Sequence, residues 1–530
     1  MVGFKTLGWW AICLWASCTS LMAAEPWEED IRKLQQRLDQ LEGQCTELRE
    51  ENQWLRAGQI AILKGGPLDP ADPSFALSSQ FGKEALPKET ENEVLPASYD
   101  QAGKQPQPTQ GVEIGKETSF KAQWKNGLQF QSADQAFKLH VGGRLHVDAG
   151  WWQAENGVED APGGLGPLQD GANYRRARIR VNGTIYQNVT WIMEYGFENG
   201  VPAFFDTFGE INDLPVLGTL RIGHFREPFS MDALTSGNHL MMIERSLIHD
   251  SMVPFRNTGI MAYDNWGDDS GTWALGGFRV NSNLQGADAG DGDYSVTGRV
   301  TWNPWYEMKG MYALHFGLGY SFRNPPKLNA VGLPSAVGIQ GVRLSTRPEF
   351  RVNAPLVVDT GLVACDAQNL IGAEFGFGSG PVLIQAEYMA TFLHNAVVGA
   401  STPDTAFMQG AYIQGSYFLT GENRPYNRQN GIFTGVQPHE RYFRTRRSAC
   451  DPRIVSGSGA WEAAVRYSWI DLSDGAVRGG LASDISMGIN WYLNPNSRFM
   501  WDYIAINRSA PTAGASGWAG VLGMRYQIDF

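Results

Sequence analysis

The chain has 530 residues, a net charge of −12, 18 Trp and 62 Gly. The length allows a large core or several domains, and the acidity argues against a general affinity for nucleic acid. So many tryptophans and glycines are unusual for a soluble enzyme, whereas aromatic girdles and glycine-rich turns account for both.

The N-terminus carries Lys5, an apolar run from Leu7 to Met22 and then Ala23-Ala24 before an acidic segment. This pattern predicts a secretory signal peptide over residues 1–24; the run is short for a membrane anchor and ends in small residues. A coiled coil is expected over residues 28–56. Ile31, Leu34, Leu38, Leu41, Cys45, Leu48, Asn52 and Leu55 fall at the 3-4 spacing of an a/d seam, with Asn52 at a register-fixing position. Its strand number, two or three, stays open. Residues 57–118 are rich in Pro, Gly, Gln and Glu without a sustained apolar period, which predicts a disordered linker.

From about residue 119 the texture becomes alternating strands broken by turns. Arg176, Arg178 and Arg180 share one face of a strand whose other face is Ala177, Ile179 and Val181. Taken alone, that strand suits a solvated sheet as well as a membrane barrel with arginines in a watery lumen. Leu139 to Ala149 sets Val141, Leu145, Val147 and Ala149 against His140, Arg144, His146 and Asp148. Trp191, Met193, Tyr195 and Phe197 oppose Glu194 and Glu198, and Trp461, Ala463, Val465, Tyr467 and Trp469 oppose Glu462, Arg466 and Ser468. Apolar faces this rich in Trp and Tyr do not suit the aliphatic interior of a soluble sandwich. The last strand decides between them: Leu522, Met524, Tyr526, Ile528 and Phe530 alternate with polar residues, and the chain stops on the phenylalanine. Such an ending looks like the signal read by outer-membrane insertion machinery. No later stretch has the roughly 18 apolar residues of a spanning helix. The fold class expected is therefore all-β, a transmembrane antiparallel barrel over residues 119–530. Sixteen strands of roughly 10 residues fit that length, with 14 or 18 open.

Gly143-Arg144-Leu145, Arg175-Arg176-Ala177-Arg178, Arg221 to Ser230, Glu244-Arg245-Ser246-Leu247, Gly298-Arg299-Val300, Ser416 to Glu422, Gly459-Ala460-Trp461-Glu462 and Asn490 to Pro495 follow one another in order. In these stretches the barrel resembles the phosphate-selective porins O and P. The resemblance implies a trimeric, 16-stranded outer-membrane porin passing small anions, phosphate or polyphosphate among them. It also implies an inward loop narrowing each pore, for which residues 227–258 are the best match. Pore-lining and anion-binding positions carried over by motif and strand face are Arg144, Arg175, Arg176, Arg178, Arg180, Arg226 and Arg245, with Asp206 as an acidic residue near the constriction. No cofactor, metal or catalytic residue is implied. The partners are small anions, outer-membrane lipids and two further copies, with the coiled coil reaching into the periplasm.

One departure matters. The family's phosphate-selective members use lysines near the pore centre, yet there is none between Lys138 and Lys309. Residues 119–530 hold 32 basic against 37 acidic side chains, so any anion preference has to be local. The segment from Arg424 to Arg453 carries seven arginines. It reads either as a funnel for anions at the mouth, or as an anchor to lipid phosphates or a loop stitched by salt bridges. Cys365 and Cys450 either pair or are separate thiols. Two rival functions remain: a plugged barrel tethering the envelope through its coil, and a barrel-housed enzyme. For the latter the chain offers no G-x-S-x-G, H-E-x-x-H, P-loop or C-x-x-C. His140 and His146, on one strand face, read either as a base or metal ligand or, more simply, as wall lining.

Overall fold

A computed structural model describes residues 115–530 apart from 117, 199, 201, 281–292, 329–337, 444, 449–450 and 512–514. The signal peptide, the coiled coil and the linker up to residue 114 lie outside the described residues, as does Cys450. Cys365 is buried and has no disulfide partner among the described residues.

Sixteen strands close into one antiparallel barrel. In chain order they are β1 Phe137–Ala154, β2 Gly171–Ile185, β3 Val189–Gly196, β4 Ala203–Leu214, β5 Gly218–Arg226, β6 Arg256–Trp266, β7 Gly271–Arg279 and β8 Tyr294–Glu307. The second half comprises β9 Tyr312–Arg323, β10 Ala367–Ser379, β11 Val382–Ala396, β12 Asp404–Phe418, β13 Ala460–Asp474, β14 Val477–Asn494, β15 Ser497–Ser509 and β16 Gly517–Asp529. β16 pairs with β1, Leu522 opposite Trp151, so no edge is left open. The final Phe530 exchanges backbone hydrogen bonds of 2.7 and 3.0 Å with Gly143. A short hairpin, Phe120–Trp124 with Leu128–Ser132, pairs onto the start of β1.

Alternation sets the two faces. Ile179, Ile222, Ile260, Leu275, Leu318, Ile413 and Met487 point outward and are 40–60% exposed, as a lipid-facing band requires. The inward positions of the wall include Arg178, Arg466, Ser486 and Asn490, all buried. Aromatic rings stack on the outside near the β14–β15 turn: Trp461 on Trp491 at 5.1 Å, Trp491 on Phe499 at 6.2 Å, Phe499 on Trp501 at 5.7 Å. This is the interfacial belt expected of amphipathic rings.

Connections alternate between ends. The β2–β3, β4–β5, β6–β7, β8–β9, β10–β11 and β14–β15 turns are short; on that same end residues 419–459 between β12 and β13 form the exception. At the other end lie the longer loops, of which residues 227–255 and 324–366 are the largest. All three long segments contribute side chains to the interior. Phe229, Ile243, Leu247, Ile248 and Met252 from the first, and Leu344, Phe350 and Val357 from the second, form one apolar cluster. They pack on inward residues of β10 to β16, among them Leu370, Met389, Met408, Ile470, Ile504 and Val521. Each fully buried large apolar side chain contributes roughly 1.5–3 kcal/mol. The Phe350 ring sits where a Cβ on Gly150 would come within 2.2 Å and one on Gly523 within 2.7 Å, so only glycine leaves room for it.

Buried ion pairs clamp the inward segments to the wall. Glu244 of the 227–255 loop accepts from Arg175 at 2.9 Å, Arg176 at 3.3 Å and Arg525 at 2.6 Å. Arg525 also holds Asp148 at 2.7 Å. Glu349 of the 324–366 loop pairs with Arg466. Arg424 of the 419–459 segment holds Glu462 at 2.8 Å and donates to the His239 carbonyl at 2.6 Å. Of the two readings of the arginine-rich segment, Arg424 thus follows the stitched loop, not a funnel at the mouth. Glu227 accepts from Arg323 at 2.9 Å.

Candidate functional site: an arginine-lined cavity

The apolar cluster fills the side of the lumen against β10 to β16. Against β1 to β8 a cavity of about 290 Å³ remains. It is lined by Arg144, Arg180, Asp206, Arg221, Arg226, Arg256 and Arg299 among the ionisable groups. Leu234 and Ser236 come from the first inward loop, and Gln429, Asn430 and Ile432 from the 419–459 segment, so it is bounded by wall and by both inward segments.

Most of these arginines are neutralised. Arg144 pairs with Glu194 at 2.5 Å, Arg221 with Glu210 at 2.6 Å, Arg256 with Asp206 at 2.9 Å and Arg299 with Glu374 at 2.6 Å. Arg178, just behind this wall, is shared between Glu194 at 3.1 Å and Glu198 at 2.7 Å. Two are different. Arg226 donates only to the carbonyls of Ala233 and Thr235 in the inward loop. Arg180 has no carboxylate partner among the described residues, and its buried Nε has no hydrogen-bond partner there. Seven arginines thus face five carboxylates, an excess of two positive charges around one small cavity. Low-dielectric walls focus such a field even though the barrel as a whole is not cationic.

The sequence-derived arginines separate into three groups. Arg144, Arg180 and Arg226 line the cavity together with Asp206. Arg175 and Arg176 do not line it; they clamp the loop through Glu244. Arg175 reaches the lumen because a register shift at His146/Val147 turns two successive residues inward. Arg178 is saturated by its carboxylates and lies 3.3 Å from the centre of the Phe205 ring. Arg245 is buried away from the cavity, its guanidinium spent on the Asp232 and Thr235 carbonyls at 2.8 and 2.5 Å. The ladder of identical side chains is therefore not a ladder of identical roles. Which partner each one meets depends on Glu194 of the next strand, Glu198 of the loop after it and Glu244 of the 227–255 loop.

Arg221 and Arg299 lie in the family-like stretches but, like Arg256, are not among the pore-lining positions expected from the sequence. The signal was present: Arg221 alternates with lipid-facing Ile222, and Arg299 lies between the outward residues Gly298 and Val300, the latter exposed to lipid. His146 contacts Arg176 and Asn238, each at 3.2 Å, and His140 contacts Asn182 at 3.2 Å. Among the described residues no group of three His, Cys, Asp or Glu is placed to hold a metal ion.

The loop groups titrate away from their usual ranges. Burial alone would raise the Glu244 pKa, but Arg175, Arg176 and Arg525 hold it well below the ordinary carboxylate range. His239, in the same loop, is pushed down to about 3 by burial and then by Arg424 and Arg498, so it is neutral.

A protein of Caulobacter vibrioides described only as uncharacterized is 27% identical over 420 residues, spanning 77% of this chain and 76% of that protein. Porin O of Pseudomonas aeruginosa is 24% identical over 412 residues, 72% of this chain and 85% of its own. Among solved structures, the outer membrane channel DcaP of Acinetobacter baumannii superposes with a TM-score of 0.45 at 11% identity, covering 76% of this chain and 99% of that one. The trimer form of OmpT of Vibrio cholerae gives 0.44 at 10%, covering 74% and 100%. The family described as phosphate-selective porin O and P matches residues 139–530. With three quarters of its length so matched, and a closed barrel of sixteen strands behind the match, the chain belongs to the phosphate-selective porin O and P family.

Proposed function

We propose that the chain is a passive outer-membrane channel for small anions, phosphate or polyphosphate among them, with no turnover and no cofactor. The observation that carries the reading is the excess charge at the cavity: Arg180 and Arg226 have no carboxylate partner, whereas every other arginine of its lining does. Solutes cross where the lumen is left open between β1–β8 and the inward segments. Guanidinium groups suit carboxylate and phosphate oxygens through paired N–H donors. A site with two free charges attracts anions without wrapping them so tightly that release fails. The short-turn end faces the periplasm, where a coiled coil would project, and three copies assemble in the membrane. Single-channel current in planar bilayers under a potassium chloride gradient tests this: the reading requires an anion-selective reversal potential and block by added phosphate.

A second reading is favoured by a specific observation. The apolar cluster against β10 to β16 fills much of the lumen, as a plugged barrel serving mainly as an envelope tether would have it. Absence of current steps from correctly folded protein would select that reading.

A further inference from the structure

We propose that the solute this cavity prefers is an organic anion with an apolar or aromatic body, in place of a bare inorganic oxyanion; the proposal rests on the anion-channel reading above. Beside the free charges of Arg180 and Arg226, the lining contains Ile192, Phe208 and Met261. Phe208 and Met261 belong to an apolar cluster with Phe225 and Phe278 on the inner face of β4 to β7, separate from the cluster made by the inward loops. A lumen serving only hydrated inorganic ions would carry polar groups there. Phe225 and Phe278 are sealed inside this cluster, so it meets the cavity through half-buried Ile192 and the edges of Phe208 and Met261.

The Arg221 guanidinium lies over the Phe208 ring at 4.2 Å and the Phe225 ring at 5.2 Å, with its charge offset by Glu210. Its flat face therefore extends the ledge without competing for the anion. The volume of about 290 Å³ holds roughly ten waters. That is more than one tetrahedral oxyanion needs and enough for a ring bearing a carboxylate. Such a solute places its carboxylate beside Arg180 and Arg226, whose charges no carboxylate pairs with, and its ring on the ledge. Inorganic phosphate gains only from the charge.

The test uses the purified full chain in planar bilayers under bi-ionic gradients of potassium acetate, benzoate and inorganic phosphate. An aqueous sieve passes acetate ahead of the larger benzoate. The expected result is the inverted order, benzoate over acetate by several-fold, on the order of 3–10 from the apolar area covered, with benzoate blocking chloride current at lower concentration than phosphate. Met261→Gln and, on another strand, Ile192→Gln are each expected to return the ratio toward the size order. Acetate ahead of benzoate in an anion-selective channel would overturn this proposal and leave the channel standing. An inversion that survives both substitutions would also overturn it, because the ledge would not be its source. A cation-selective current, or no current, would overturn the channel reading and the proposal together.

Discussion

Replacing Arg180 and Arg226 by glutamine is the substitution that isolates the proposed selectivity. Both side chains are free of carboxylate partners, so neither change strands a buried acid, and the excess of two charges falls to none. A cavity of about 290 Å³ has, as a sphere, a radius of roughly 4 Å, which puts a guanidinium on its lining about 5 Å from a passing ion. At that distance one unit charge acts with about 0.8 kcal/mol in bulk-like water and about 3 kcal/mol at an effective dielectric of 20. The same field lowers the energy of an anion and raises that of a cation. Each arginine is therefore worth at least about tenfold in the chloride-to-potassium permeability ratio at the watery limit. Measurement belongs near 0.1 M salt, where the screening length is about 10 Å and exceeds the cavity radius. Single variants are expected to shift the reversal potential part of the way and the double variant to bring it close to neutral. Arg256→Gln should go further than either, since it removes a cation and unmasks Asp206. A double variant with the wild-type reversal potential would refute the argument, because no other arginine of the lining lacks a compensating carboxylate.

Further expectations concern the inward segments. Arg424→Ala leaves Glu462 buried and unpaired and should cost roughly 3–5 kcal/mol, read as a lowered unfolding temperature of the detergent-solubilised barrel. Gly150→Val places a side chain where the Phe350 ring sits and should release residues 324–366 from the wall, read as new protease cleavage in that loop. Acid should loosen the 227–255 loop. His239 has a folded pKa near 3, below its unfolded value of about 6.5, so the unfolded state binds the extra proton and stability falls by roughly 1.4 kcal/mol per pH unit between those values. Glu244, held below its unfolded pKa, contributes stability that is present above about pH 4.3 and lost as pH falls through its folded value. Thermal melts from pH 7 to 4 should show the His239 loss, and His239→Gln should flatten that slope; an unchanged slope would remove the histidine from the account.

The barrel was legible because lipid imposes a strict period of two on every wall strand. Ile179 against Arg178 and Arg180, Met487 and Ile489 against Ser486 and Asn490, and the closing Phe530 all carry that signature locally. The inward loop after Arg226 was also visible, as a long connection in a chain of tight turns. The site was less legible, for a physical reason. Alternation says that a side chain points inward and nothing about the partner it meets there. Arg176, Arg178 and Arg180 look alike in sequence, and their fates diverge because Glu244 arrives from a loop, Glu194 from the next strand and Glu198 from the loop after it, while among the described residues no carboxylate forms an ion pair with Arg180. Arg245 likewise carries a family motif, yet its donors go to the loop backbone. The stitch at Arg424 needed the whole path of residues 419–459 to be known.

Those partnerships also reconcile the proposed anion preference with an acidic barrel. If selectivity followed composition, 37 acidic against 32 basic groups would make it cation-preferring. The field at the cavity is instead a difference between close pairs, and buried pairs cancel at short range. What a passing ion feels is the residue of that cancellation, which is set by the few groups left over. Here the leftover charges are Arg180 and Arg226, one on the wall and one where the wall hands over to the loop. In the proposed channel, the loop clamped by Glu244 also confines solutes to their side of the lumen. On the proposed channel reading, selectivity and loop docking depend on the same arginine-rich strand, Arg175 and Arg176 holding Glu244 of the loop and Arg180 acting on the passing ion. A change that frees the loop should widen the path and dilute the field together, raising conductance while lowering selectivity. A plugged barrel predicts only the first of these.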